Sequence, residues 1–136
     1  MELIIKNALI HVLILASSID GYQQIEEQLV IENYKKNFGA FKNISEEKFI
    51  EEARSISAKI FAGMKVDYII TDIGNELDNE GKNIAYALAA EVCASNFEIV
   101  PPETDLLNKM YKAWKIPKNI RESVNTSIKL RYGIET

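Results

Sequence analysis

The sequence predicts an all-α fold, and three features of its pattern support this expectation. Apolar residues recur every three or four positions along most of the chain, which is the period of an amphipathic helix. No stretch of four to eight residues alternates between polar and apolar side chains, as a half-buried strand would. Glycine, proline and capping residues divide the chain into helix-sized pieces. We therefore expect a bundle of seven helices without a sheet.

The first two predicted helices are separated by an Asp-Gly turn. Residues 3–16 are almost all apolar, and Gly21 can adopt the left-handed conformation that ends a helix. The apolar run is shorter than the roughly 20 residues that span a bilayer, and it lacks the positive leader of a secretory signal. We therefore expect a buried helix rather than a membrane anchor. A second, amphipathic helix is predicted over about residues 25–38, before Gly39.

Five further helices are predicted from their start and stop signals. They begin after Ser45, at Val66, after Asp78, at Pro101 and at Pro117, and the last ends near Tyr132, before Gly133. The first and fifth helices should be the most buried, because they are apolar nearly all round.

Composition limits the classes of function that remain. A chain of 136 residues is expected to form one domain, and its net charge of −4 has no basic cluster that would favour nucleic acid. The lone Cys93 is expected to be a buried thiol in a reducing cytoplasm. The lone His11 cannot build a zinc cluster with it, and we expect a core or half-buried histidine rather than a catalytic one. The scattered glycines form no phosphate-binding loop, so no organic cofactor is expected.

The chain matches itself at an offset of 76 residues. This offset places Glu27 on Glu103 and residues 42–44 on residues 118–120, both of which read Lys-Asn-Ile. Helices one to three would then correspond to helices five to seven, with the fourth as a linker. We expect a single helical domain over residues 1–136, with pseudo-repeats at about 1–63 and 78–133.

Four carboxylates in the two equivalent turns form a candidate metal site. Calcium and magnesium prefer several oxygen ligands, which carboxylates and turn carbonyls can supply. If the turns meet in space, the ligands would be Asp20, Glu27, Glu98 and Glu103. The spacing is not that of an EF-hand. The alternative is structural: Asp20 accepts amide hydrogen bonds from its own turn, and Glu27 complements the positive end of the second helix.

This arrangement resembles the TerB-like domain of the tellurite-resistance family, whose motif is approximately Ala-Asp-Gly-Glu-aliphatic-x-x-Glu-Glu. The shared residues are Asp20, Gly21, Glu26 and Glu27 in the first copy, and Glu98, Ile99, Pro101 and Glu103 in the second. The chain departs from the motif at Ile19, Tyr22 and Asn96-Phe97. The resemblance spans nearly the whole chain and implies a seven-helix bundle with pseudo-repeated halves.

The resemblance also implies a function. It implies a cytoplasmic, non-enzymatic protein associated with stress or tellurite resistance, which binds other proteins and holds a divalent cation in its acidic turns. Neither nucleic-acid binding nor direct membrane insertion is expected. Two alternatives remain: a metal-dependent helical hydrolase or lyase that uses the same four acids, and a purely structural helical module without an ion.

Overall fold

The computed structural model describes residues 2–19, 31–36 and 38–134, and this part of the chain contains seven α-helices and no strand. A short 3₁₀ turn, Gly39–Phe41, follows the second helix. The expected all-α class is confirmed for these residues. The predicted Asp20-Gly21 turn and the start of the second helix lie outside them. The helices are α1 (Leu3–Ser18), α2 (31–36), α3 (Glu46–Phe61), α4 (Val66–Asn75), α5 (Asn79–Ala94), α6 (Pro101–Ala113) and α7 (Lys118–Tyr132).

Three of the predicted caps are present at helix ends. The side chain of Ser45 accepts a hydrogen bond from the amide of Lys48 at 3.1 Å and begins α3. Asp78 Oδ1 does the same for the amide of Gly81 at 2.7 Å and begins α5. Gly133 ends α7 with a φ of 69°, a left-handed conformation that favours glycine. Local capping chemistry therefore sets these helix boundaries.

Helices α1 and α5 form the centre of the bundle. They pack against each other, α3 also packs on α1, and both α6 and α7 pack on α5. Nine of the sixteen residues in each central helix are buried, more than in any other described helix, as expected. Cys93 is fully buried, which confirms the expectation for its thiol. Among the described helices, none has the length and apolar character needed to cross a membrane.

The fourth helix is a packing element that contacts both α6 and α1. Trp114, the residue directly after α6, donates a hydrogen bond from its indole Nε1 to the carbonyl oxygen of Ile70 on α4 at 2.9 Å. Gly74 lies one helical turn after Ile70, and its missing side chain leaves room for the indole ring. This close approach fixes α4 against the second half of the chain.

The proposed internal repeat agrees with some helix boundaries and not with others. Both ends of α5 lie 76 residues after those of α1, which matches the sequence offset. However, α7 begins 72 residues after α3. The first Lys-Asn-Ile precedes α3, with Asn43 at a φ of 70°, whereas the second forms the first turn of α7. The repeat therefore stays a hypothesis, and its Lys-Asn-Ile match is not a match in local conformation.

Candidate functional site

The structure describes only two of the four predicted metal ligands. Asp20 and Glu27 lie outside the described residues. Glu98 is exposed in the turn between α5 and α6. Glu103 is only 1% exposed, and its Oε1 accepts a hydrogen bond from the amide of Val100 at 3.0 Å. A carboxylate at this position stabilises the start of α6, because it satisfies a free amide at the positive end of the helix.

The four-acid metal site therefore stays a prediction. Within residues 2–19, 31–36 and 38–134, no three His, Cys, Asp or Glu side chains are grouped so that they could hold a metal ion. The predicted site needs the turn that contains Asp20 and Glu27, and that turn is not among these residues.

A pocket of about 390 Å³ opens between α1, α3 and α4, and we call it the acidic pocket. Its apolar wall includes the buried side chains of Ile56 and Ile69, and the half-exposed Ile4 lies among its lining residues. Its size is within the roughly 300–1,000 Å³ typical of small-molecule sites. Its polar lining residues are Asn7 and His11 on α1, Glu52 and Lys59 on α3, and Asp72, Asn75 and Glu76 on or next to α4.

His11 and Glu52 form a pair across α1 and α3. His11 Nε2 lies 3.4 Å from Glu52 Oε2, and the two side chains are 18% and 16% exposed. Burial lowers the pKa of His11, and this effect outweighs the nearby carboxylate of Glu52, which raises it. The imidazole is therefore neutral at pH 7. Because a carboxylate only accepts hydrogen bonds, the neutral ring donates from Nε2 in this pair. The expectation of a half-buried histidine is confirmed.

Asn7 contributes an acceptor to the same pocket, one helical turn before His11. Its Oδ1 is buried and has no hydrogen-bond partner among the described residues. A buried acceptor without a partner costs about 1–3 kcal/mol, and a donor placed in the pocket would recover part of that energy. The pocket is therefore suited to a ligand that carries N–H or O–H groups.

The charges around the acidic pocket favour a cation. Three carboxylates, those of Glu52, Asp72 and Glu76, face one ammonium group, that of Lys59, while His11 is neutral. A second ammonium, that of Lys48, lies 3.9 Å from Glu52 Oε1. Among the described lining residues there is no serine, threonine, cysteine or tyrosine that could act as a nucleophile. The excess of carboxylates over ammonium groups in the lining suits a positively charged donor.

The acidic pocket was not predicted, although part of its pattern is visible in the sequence. Asn7 and His11 are four positions apart in an otherwise apolar helix, so they lie on one face of it. Two polar residues on one face of a central helix indicate a polar cavity. Their partner Glu52 is 41 residues further along the chain, and no local pattern links it to them.

Comparison with known proteins gives no family for the chain. Neither the family models, nor the curated proteins, nor the solved structures contain a match to it. The TerB-like resemblance therefore rests on the motif residues alone.

Proposed function

We propose that this chain is a non-enzymatic, TerB-like binding module whose acidic pocket receives a basic side chain of a partner protein. The observation that carries this proposal is the combination in one pocket of three carboxylates with Asn7 Oδ1, which has no hydrogen-bond partner among the described residues. A guanidinium or ammonium group supplies both a positive charge for the carboxylates and a donor for Asn7 Oδ1.

The apolar wall of the pocket also supports a lysine or arginine ligand. Both side chains carry a charged head on an aliphatic stem, and the stem gains free energy from contact with apolar surface. Ile4, which is 50% exposed, offers such a surface among the lining residues, and Ile69 and Ile73 offer one on α4. A free metal ion would gain nothing from these contacts.

The wider biological role in this proposal rests on the resemblance. A cytoplasmic protein associated with stress or tellurite resistance agrees with the TerB-like motif and with the lone, buried thiol of Cys93. A divalent cation in the turns of Asp20, Glu27, Glu98 and Glu103 remains part of the same proposal, as a second element that shapes the module.

The test of the acidic pocket uses two capped tripeptides, Gly-Arg-Gly and Gly-Gln-Gly, titrated into the ¹⁵N-labelled protein. We expect the arginine peptide to shift amide signals of α1, α3 and α4, and the glutamine peptide to leave them unchanged. The double variant Glu52→Gln and Asp72→Asn should weaken binding roughly tenfold or more, because it removes two charged acceptors.

The matched control is Glu51→Gln, which removes a neighbouring carboxylate on α3 that is 71% exposed and does not line the pocket. It should leave the affinity nearly unchanged, apart from a small effect of long-range charge. If both peptides shift the amide signals equally, or if both variants lose the same affinity for the arginine peptide, this pocket does not recognise a basic side chain.

The cation is tested separately by thermal unfolding in millimolar calcium or magnesium. An ion that binds only the folded chain raises the melting temperature, and the double variant Asp20→Asn and Glu27→Gln should abolish that rise. The same variant can be more stable than the native chain without metal, since it relieves repulsion between like charges. A melting temperature that is indifferent to both ions would remove the cation from the proposal.

A further inference from the structure

A second pocket, of about 190 Å³, lies between α5, α6 and α7, and its lining differs in character from that of the acidic pocket. It has apolar walls, including Leu107 and Ile128. No aspartate, glutamate or lysine is among the described residues that line it. We call it the donor pocket, and its polar groups are Tyr86 on α5, Thr104 and Asn108 on α6, and Arg121 and Asn125 on α7.

Tyr86 supplies a hydroxyl group to the donor pocket. The residue is only 1% exposed and lines the donor pocket, yet its hydroxyl has no hydrogen bond to any described residue. The hydroxyl is not among the fully buried polar atoms that lack a partner, so it is open to the pocket and can donate a hydrogen bond to a ligand there. Burial raises the pKa of Tyr86, which keeps the phenol protonated and able to donate.

Arg121 supplies a guanidinium group to the donor pocket. Its Nη2 donates a hydrogen bond to Asn108 Oδ1, and its guanidinium lies over the ring of Tyr111, 4.2 Å from the ring centroid. These two contacts hold the guanidinium in place before any ligand binds. No carboxylate of the described residues forms an ion pair with it, so its charge is uncompensated in the pocket. Because Asn108 Oδ1 is occupied, the amide group of Asn108 is left to act as a donor.

From these contacts we propose that the donor pocket binds the carboxylate of a small aliphatic acid, held by Arg121 and the hydroxyl of Tyr86. The planar guanidinium matches a carboxylate with two parallel hydrogen bonds. The aliphatic part of the acid lies against Leu107 and Ile128. A single formal charge with apolar walls suits a monoanion with an apolar tail, whereas a phosphate dianion needs more positive charge. The pocket is smaller than typical drug-sized sites, which limits the acid to a short chain.

The experiment titrates butyrate, butyramide and inorganic phosphate into the ¹⁵N-labelled protein and follows the amide signals of α5, α6 and α7. Butyrate should shift these signals and the Nε signal of Arg121. Butyramide has nearly the same shape without the charge, and we expect it to bind roughly tenfold or more weakly. Phosphate should also bind more weakly than butyrate.

Two variants test the assignment of the donors. Arg121→Gln and Tyr86→Phe should each weaken butyrate binding roughly tenfold or more. Tyr86→Phe should leave the free energy of unfolding of the ligand-free chain unchanged or raise it, because the hydroxyl that it removes has no hydrogen-bond partner among the described residues. This second readout separates a ligand-binding hydroxyl from a structural one.

The matched control is Lys118→Gln, which removes an exposed charge from α7 outside the pocket and should leave butyrate binding unchanged. The proposal is overturned if butyrate does not shift the signals of the pocket, if phosphate binds more tightly than butyrate, or if Tyr86→Phe destabilises the ligand-free chain without affecting binding.

Discussion

Replacement of Gly74 by alanine should destabilise the fold, although alanine is the better helix former. A Cβ atom at this position would lie 2.7 Å from Nε1 and 2.8 Å from Cδ1 of Trp114. Both atoms belong to a rigid, buried ring whose Nε1 donates to the carbonyl of Ile70. The indole must therefore move, and its hydrogen bond to α4 is lost or weakened.

The expected cost follows from three opposing effects. In a helix, alanine is favoured over glycine by about 1 kcal/mol. Overpacking of a close contact costs about 1–3 kcal/mol, and a buried indole N–H without a partner costs about 1–3 kcal/mol more. Steric and hydrogen-bond losses outweigh the helix propensity, so we expect Gly74→Ala to lower the free energy of unfolding by about 3 kcal/mol.

Urea denaturation followed by circular dichroism measures this loss. Trp114 is the only tryptophan of the chain, so a red shift of the fluorescence emission reports its displacement directly. The control is Gly39→Ala, where an added Cβ meets no atom within 4 Å and should change stability by less than about 1 kcal/mol. A Gly74→Ala variant at least as stable as the native chain, with an unshifted emission, would refute the steric argument.

Three further predictions concern a helix cap, a titrating group and an ion pair. Asp78→Ala should lower the free energy of unfolding, measured by urea denaturation, by about 1 kcal/mol, because the amide of Gly81 loses its acceptor. Asp78→Asn should retain most of the stability that the cap provides, because its side-chain oxygen can still accept this hydrogen bond. The pKa of His11 is lowered in the folded state, so the unfolded chain binds more protons. The stability that this group contributes is complete above its unfolded pKa of about 6.5 and is lost as the pH falls through the folded value. Between pH 7 and pH 5, the free energy of unfolding measured by chemical denaturation should accordingly fall less for His11→Gln than for the native chain. An equal fall in both would contradict a buried neutral histidine. The Arg131–Glu91 pair has two hydrogen bonds of 2.6 and 2.7 Å, but Arg131 is about half exposed. Arg131→Gln should lower the free energy of unfolding by less than about 1 kcal/mol, and in 1 M salt, which screens the pair, it should have no effect. A larger decrease that does not depend on salt would show that the pair behaves as a buried one.

Helix boundaries could be predicted because their causes are local. The hydroxyl of Ser45 and the carboxylate of Asp78 each satisfy an amide three residues further on, and Gly133 adopts the conformation that ends α7. Each of these interactions is contained within one turn of chain. A single sequence therefore carries the information that sets where these helices begin and end.

Glu103 has a local role at the start of α6 that its position after two prolines indicates. It lies in the third position of α6, after two prolines, where a glutamate commonly accepts a hydrogen bond from the backbone at the start of the helix. Its offset of 76 from Glu27 also makes it a predicted metal ligand. The structure shows the cap, while the proposed ligation depends on a turn outside the described residues.

The two pockets could not be predicted, because each is assembled by side chains far apart in the sequence. Glu52 reaches His11 only after α3 has packed on α1. Tyr86 lies within an almost continuous apolar stretch, where periodicity predicts a core residue. It is indeed a buried residue, and only the positions of α6 and α7 show that its hydroxyl faces polar neighbours.

The pockets also bear on the internal repeat, since they lie on different faces of the two central helices. The offset of 76 places Asn7 and His11 of the acidic pocket on Asn83 and the exposed Ala87 of α5. It likewise places Tyr86 of the donor pocket on Ile10, a fully buried apolar residue of α1. A pocket between α1, α2 and α3 does occupy the equivalent place to the donor pocket, because its lining residues Ile14, Ile31 and Phe49 fall on Ala90, Leu107 and Asn125. Tyr86 and His11 themselves have no polar equivalent at this offset. If the halves share an origin, what they retain is a central, largely buried helix with a pocket beside it, whereas the polar groups His11 and Tyr86 are each specific to one half.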